Sequence, residues 1–388
     1  MPSTRGRLGV IFLTVLIDLI GFGIILPILP YYAQAFGAKG LGFGVLVGSY
    51  SAMQFVATAV LGRTSDRTGR RPILLATMAL NAVGYVLFGV AHTYWVLLLG
   101  RLVSGFGGGN ISVAQAYVAD ITSAQDRSKG MGVIGAAFGL GFIIGPAVGG
   151  LAGHYWGHAA PGFVAAGLSV INFALAWRIL PESLHERHRV ARDVWEFGHL
   201  REAFADNRLR PLMIAWFIAP FAFAGYSTIL PLYAAARFGW HEKELGWMFT
   251  IVGLVAAIVQ GWAFGRLVKV TGDRALVIVG SAGMALAIGM IPFLPSAGAL
   301  YGWTVLLAFS NSVFSPAASG LVSVLADPTQ QGMILVAAQA LSALGRLSGP
   351  EVFGTALDAS GARVAFVAAG VAMVLGTIAA FRIHDHRP

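Results

Sequence analysis

The sequence predicts an all-α membrane protein of twelve transmembrane helices, arranged as two six-helix pseudo-symmetric halves. Three observations predict it: the composition, the number of long apolar runs, and a repeat relating the first half of the chain to the second. Of 388 residues, 57% are hydrophobic and only 11% charged, against roughly 25% charged in soluble domains. A water-soluble globule is excluded. A helical crossing needs about 20 apolar residues and its connection several more, so a crossing consumes roughly 30 residues and the length admits about a dozen.

Apolar runs closed by charged or Gly/Pro-containing breaks lie near 8–33, 42–62, 72–91, 95–117, 130–153 and 161–180, and after a polar interval near 209–235, 244–265, 274–294, 299–322, 331–354 and 362–381. Each is long enough to cross as a helix, whose backbone bonds internally. The short alternating segments of a barrel do not occur. The first run is longer than the apolar core of a signal peptide and carries Asp18, so it reads as a retained crossing. The halves are therefore 1–180 and 209–388, joined by a linker at 181–208 whose alternating charges and aromatics (Trp195, Phe197) suggest an interfacial helix.

Orientation follows from the basic residues. Counting alternate connections from an inner N-terminus places 20 of the 26 Lys and Arg inside; only Lys39, Arg237, Lys243 and Arg363 fall outside, while Arg101 and Arg346 lie within crossings. Such a bias puts both termini in the cytoplasm. It also accounts for most of the formal charge of +9 without nucleic acid as a partner.

The repeat is explicit. Gly62-Arg63, Thr68-Gly69 and Arg71 recur 203 residues later as Gly265-Arg266, Thr271-Gly272 and Arg274, and Gly141, Gly145-Pro146 and Gly150 recur 204 later as Gly345, Gly349-Pro350 and Gly354. Six crossings return the chain to its starting side, so the halves share an orientation and relate by an axis along the membrane normal. A cavity is expected between them near the midplane.

The connection after crossing 2 reads Gly62-Arg63-Thr64-Ser65-Asp66-Arg67-Thr68-Gly69-Arg70-Arg71-Pro72. Its glycines permit a tight turn and its arginines suit anionic headgroups, with Pro72 expected at the first position of crossing 3. Headgroups do not explain Asp66. The whole segment matches G-x-x-x-D-R-x-G-R-R, and with twelve crossings in two halves the chain resembles the major facilitator superfamily of transporters over its full length. The resemblance implies a conformational switch built on Gly62, Asp66, Arg67, Gly69, Arg70 and Arg71, in which Asp66 meets the N-terminal end of crossing 11, where the helix dipole favours an acid. It also implies Asp120 as ion-pair partner of Arg67 or Arg70. The second copy has Lys269 in place of Asp66, so the switch is one-sided.

Crossing 5 carries Gly135, Gly139, Gly141, Gly145-Pro146 and Gly149-Gly150, a ladder that allows close helix packing, with a bend at the proline. It resembles the antiporter signature of drug-exporting members of the superfamily, which implies export rather than uptake.

Asp18 stands about ten residues into crossing 1, roughly 15 Å deep. A carboxylate there is costly unless paired, hydrated or protonated; it reads either as a functional group or as part of a structural polar network. The surrounding Leu19-Ile20-Gly21-Phe22-Gly23-Ile24-Ile25-Leu26-Pro27-Ile28-Leu29-Pro30 is similar to the start of tetracycline/proton antiporters, which implies proton coupling at Asp18. Arg101, in Arg101-Leu102-Val103-Ser104-Gly105, resembles the family segment whose arginine serves proton transfer; it needs a counter-charge, for which Asp18 is one candidate. Ala116–Thr122 and Leu180-Pro181-Glu182-Ser183 resemble the same subgroup. One departure is clear: those exporters carry an acid within crossing 3, where this sequence offers Asn81 and Tyr85, which argues against tetracycline itself.

Polar residues able either to join helices or to line the cavity are Gln54, Asn81, Asn110, Gln115, Asn172, Gln260, Asn311 and Gln339. Phe221, Phe223 and Tyr226 in crossing 7 could form an aromatic wall for an amphipathic substrate. Arg346 and Glu351 in crossing 11 are five apart and do not share a face well; Arg346 either pairs with an acid elsewhere or lines the cavity. No phosphate-binding loop, G-x-S-x-G elbow, cysteine or metal-spaced histidine pattern occurs, so the chain is not expected to be an enzyme. The expected protein is a monomeric exporter of small amphipathic molecules in the cytoplasmic membrane, surrounded by lipid, without cofactor or metal and driven by the proton gradient. A metabolite uptake symporter or a lipid flippase on the same fold are the alternatives.

Overall fold

The computed structural model describes residues 4–122, 127–183, 204–325 and 331–383. The expected linker falls mostly at 184–203, outside the described residues. The described chain is almost entirely helical: α1 (Thr4–Ile25), α2 (Leu29–Ala35), α3 (Gly40–Thr68), α4 (Arg70–Gly89), α5 (Tyr94–Gly107), α6 (Asn110–Ile121), α7 (Arg127–Trp156), α8 (Ala160–Ile179), α9 (Arg210–Phe238), α10 (Glu242–Ile258), α11 (Phe264–Met290), α12 (Ala297–Leu325) and α13 (Gln331–Phe381). A π-helical turn, Val259–Ala263, joins α10 to α11.

Ten stretches are long and apolar enough to cross a membrane among the described residues. Two of them are far too long for one crossing: Glu242–Phe293 has 52 residues and Ala337–Phe381 has 45, whereas about 20 suffice. Each is broken by a glycine in a left-handed conformation, Gly272 (φ 77°) and Gly361 (φ 80°), where a side chain would be strained. Each therefore makes two crossings, which gives the twelve expected. Large apolar side chains point outward along them, among them Leu99, Val170, Leu254 and Val371, as helices solvated by lipid require.

Two expected crossings are interrupted. The run 8–33 is a helix only to Ile25; Pro27 and Pro30 deny the ladder two amides, i→i+3 bonds run from Leu26 to Gly23 and from Ile28 to Ile25, and the short α2 follows. The run 95–117 breaks at Gly107-Gly108-Gly109 between α5 and α6. Pro72 sits at the third helical position of α4 rather than the first, still within the turn whose amides have no intrahelical acceptor.

The chain forms two compact units. One takes in Met1–Ala38, Ser49–Arg192 and His241–Leu254. Its core gathers Ile11, Val15 and Leu19 of α1 against Leu74 and Met78 of α4 and Val113 and Tyr117 of α6. The start of α10 joins this unit because small residues let backbones touch: Gly246 lies on Pro146 and Gly150 of α7, and Gly253 on Phe142. His158 Nδ1 lies 2.8 Å from Glu242 Oε1 beside that contact.

The other unit takes in Lys39–Gly48, Asp193–Trp240 and Val255–Pro388. Here the first turns of α3 lie on α13 through Gly44 against Pro350 and Gly48 against Leu347. The carboxylate of Asp358 accepts from the amides of Gly40 and Leu41, both at 2.8 Å, and so caps the N-terminus of α3.

Candidate functional site

Asp18 lies on the buried side of α1, only 8% exposed. Three features of the sequence place partners around it. The glycine break ends α5 and restarts the helix at Asn110, whose side-chain amide donates to Asp18 Oδ2. Asn81 of α4 donates to Asp18 Oδ1 at 3.4 Å. Four residues before Asp18, the Thr14 carbonyl accepts from Asn172 Nδ2 at 2.9 Å, which fixes α1 to α8.

The break is also where side chains meet bare backbone. A Cβ on Gly107 would collide with Asn81, on Gly108 with the Tyr50 hydroxyl, and on Gly109 with Ala57. Gln54 Nε2 donates to the Gly108 carbonyl at 3.1 Å, satisfying an acceptor that the interrupted ladder leaves open. Arg101, 3% exposed, stacks its guanidinium over the Tyr50 ring, 4.6 Å from the centroid. An aromatic face is a favourable neighbour for a desolvated cation.

Asp18, Tyr50, Asn81, Tyr85 and Asn110 line a cavity of about 20 Å³, room for about one water. Within it Asn81 Oδ1 is buried with no hydrogen-bond partner among the described residues. The site thus offers an ionised Asp18 two amide donors, and a turn of the Asn81 amide, whose Oδ1 is unpartnered among the described residues, would bring a protonated Asp18 an acceptor. That is what a group that loads and unloads a proton needs, because each state must keep its hydrogen bonds in a low-dielectric surrounding.

The glycine ladder of α7 packs on the same helix. Gly141 lies on Leu19, Gly145 on Gly23 and Gly149 on Ile24, while Gly150 turns to Gly246 of α10. Any side chain at the first three would push α1 away and move Asp18. Gly135 has nothing within contact distance, and Gly139 is half-buried.

The 62–71 segment forms a compact ion network. Gly69 takes φ 108° and starts α4. Arg70 Nη1 meets Asp66 Oδ1 at 2.6 Å and its Nε meets Asp120 Oδ2 at 3.1 Å, with Ser65 Oγ accepting from Nη1 at 2.6 Å. Of the two arginines expected for Asp120, Arg70 makes the pair, and Arg67 is exposed. Glu182 caps α4, accepting from the amides of Arg70 at 2.9 Å and Arg71 at 3.2 Å; Arg71 Nη2 donates to the Trp177 carbonyl at 2.6 Å. Gly62 has no close neighbour at its Cβ position.

The remaining expected cavity residues are dispersed. Gln115, Gln260 and Gln339 are exposed and Asn311 and Phe223 half-buried. Tyr226 is 2% exposed, with its ring 5.8 Å from that of Phe223. Arg346 Nη1 donates to Ser342 Oγ at 2.7 Å. Sequence reasoning missed Tyr50, although it lies one helical turn before Gln54 and so shares its face.

Twelve helical crossings with a buried carboxylate in the first are what a membrane transporter presents. The comparisons agree. The profile of the Major Facilitator Superfamily matches residues 11–262 and 212–388, and the chain belongs to that superfamily. The tetracycline resistance protein of class C from Escherichia coli is 31% identical over 366 residues, covering 93% of this chain and 91% of the relative. Multidrug resistance protein 2 of Bacillus subtilis (strain 168) is 28% identical over 373 residues, covering 93% and 91%. Among solved structures, that of the human organic anion transporter MFSD10 (TETRAN) superposes with a TM-score of 0.73 at 28% identity, covering 98% of this chain and 100% of that one.

Proposed function

We propose that this transporter exports small amphipathic molecules across the cytoplasmic membrane in exchange for protons, by alternating access of two six-crossing halves, as a monomer with both termini in the cytoplasm. The observation that carries the reading is the Asp18 site: one carboxylate, buried within its crossing, supplied with two amide donors for its ionised state and with an unpartnered Asn81 oxygen that a turn of that amide would bring to its protonated one. A proton arriving from outside neutralises Asp18 and releases substrate outward; the return step delivers the proton inward. The gradient is the only energy source the scheme needs, with no cofactor and no metal.

Three further features support it. The α7 glycines hold α1 in register, so a bend of that helix moves the proton site. The Arg70–Asp66–Asp120 network is the part of the 62–71 segment suited to break and re-form between conformations. The tetracycline and multidrug resistance proteins among its relatives favour efflux of drug-like compounds.

The test is transport in proteoliposomes. An imposed pH gradient should drive accumulation of a hydrophobic dye such as ethidium or of a matched aromatic acid in the wild type. Asp18→Asn should abolish the gradient-driven component while leaving exchange without a gradient. Gradient-driven flux unchanged in Asp18→Asn removes Asp18 from the scheme, and flux in the same direction as the proton makes the protein a symporter.

A further inference from the structure

Arg346 lies midway along the first crossing of α13, fifteen residues from Gln331 and fifteen from the break at Gly361, hence about 22 Å from either end. Its neighbours define where it points. Gly345 and Gly349 lie on Phe217 and Phe221 of α9, whereas Leu347 and Pro350 lie on Gly48 and Gly44 of α3. Leu344 and Val352 are 40% and 50% exposed. At 100° per residue, Arg346 falls in the sector between the α9 and α3 faces, opposite the exposed one. Arg346, half-buried, is therefore turned between α9 and α3, away from the sector where Leu344 and Val352 emerge.

There it has one neutral acceptor, the Ser342 hydroxyl at 2.7 Å. Among the described residues no carboxylate forms an ion pair with it, and Glu351 is turned toward Gly48. A guanidinium keeps its charge in proteins and carries five donors. Left so at mid-depth it is expensive, and such residues mark substrate pathways. On α9, whose backbone at Phe217 and Phe221 lies against Gly345 and Gly349, the rings of Phe217 and Phe221 are stacked at 5.6 Å, and Phe221 meets Phe353 of α13 at 4.9 Å.

We infer that Arg346 binds the acidic group of the transported molecule, so that the substrates are aromatic organic anions, the acid on the guanidinium and the ring system against Phe217 and Phe221. The counter-charge this residue lacks among the described residues is then one that arrives and leaves with each cycle. Stacked rings on the neighbouring α9 favour an organic over an inorganic anion, and a guanidinium turned away from the exposed face favours a soluble acid over a lipid phosphate. The inference rests on the export reading for its direction of transport, though not for binding.

The experiment uses the full chain and a matched panel of naphthalene and biphenyl carboxylic acids, their amides and their aminomethyl cations, with phosphatidylglycerol as a separate arm. Thermal unfolding in detergent reads binding, and the same compounds in proteoliposomes read flux. Acids alone should raise the unfolding midpoint. Arg346→Gln should weaken acid binding by about 30-fold or more while its ligand-free midpoint stays at or above that of the wild type, since a desolvated charge has been removed. Arg346→Lys should restore part of the affinity. The inference is overturned if no acid binds selectively, if Arg346→Gln leaves acid affinity unchanged, if its ligand-free midpoint falls and Arg346→Lys restores the fold but not the binding, or if only phosphatidylglycerol stabilises through Arg346. Acids that bind through Arg346 without gradient-driven flux uphold the site and defeat the export reading. Gradient-driven flux of amides or cations alone, indifferent to Arg346→Gln, does the reverse.

Discussion

Asp18 and Arg346 both sit deep within their crossings, one in each compact unit, and the chain treats them in opposite ways. Around Asp18 it brings one amide from α4 and one from the start of α6, so that two amides meet the carboxylate. Around Arg346 it supplies one hydroxyl. A carboxylate can be made neutral by a proton, and its surroundings need only suit both forms. A guanidinium cannot, and its surroundings must be completed by something else. On the readings proposed above, the difference separates a proton site, which the protein finishes itself, from a site that a ligand finishes.

The largest expected effect is loss of coupling. Asp18→Asn should reduce gradient-driven flux to the level of empty liposomes and leave the unfolding midpoint unchanged or higher; a lowered midpoint with flux retained would mark Asp18 as structural and dissolve the comparison. Next is the selective loss of acid binding in Arg346→Gln described above. Stability should then distinguish the two shells. Asn110→Ala removes a donor to a buried acid and should cost about 2 kcal/mol in chemical unfolding, whereas Ser342→Ala removes one neutral acceptor and should cost about 1 kcal/mol or less. Equal losses would mean that Arg346 is held as firmly as Asp18. A smaller effect is expected at Arg70→Ala, whose partners Asp66 and Asp120 have side chains 52% and 22% exposed; unfolding should shift by about 1 kcal/mol, measured against Lys at the same position.

Much of this was legible in the sequence. The twelve crossings follow from apolar length and the α7 ladder from glycine spacing, both local properties, while the 62–71 segment was legible through its resemblance to the superfamily motif. What surrounds Asp18 was only partly legible. Asn81 and Asn110 could be named as polar residues in crossings, but that both meet Asp18 depends on how α4 and α6 pack against α1. Asp18 was a candidate counter-charge for Arg101; the structure gives that cation the face of Tyr50, a choice that only packing of α3 on α5 determines. Glu182 likewise stands 112 positions from the amide it caps, and the positive φ of Gly69 makes that amide available. The turn positions could be read, whereas the groups that long-range packing brings to them could not.

The Asp358 cap has a consequence of a different kind. Two amide protons at the head of α3 are held by a carboxylate 318 positions away, a cap of a sort that contributes about 1 kcal/mol. Protons so held exchange with heavy water only when the clasp opens, so Gly40 and Leu41 carry a clock for that opening. In hydrogen–deuterium exchange their uptake should slow whenever a ligand favours the clasped arrangement and quicken, to the same extent under every ligand, in Asp358→Asn.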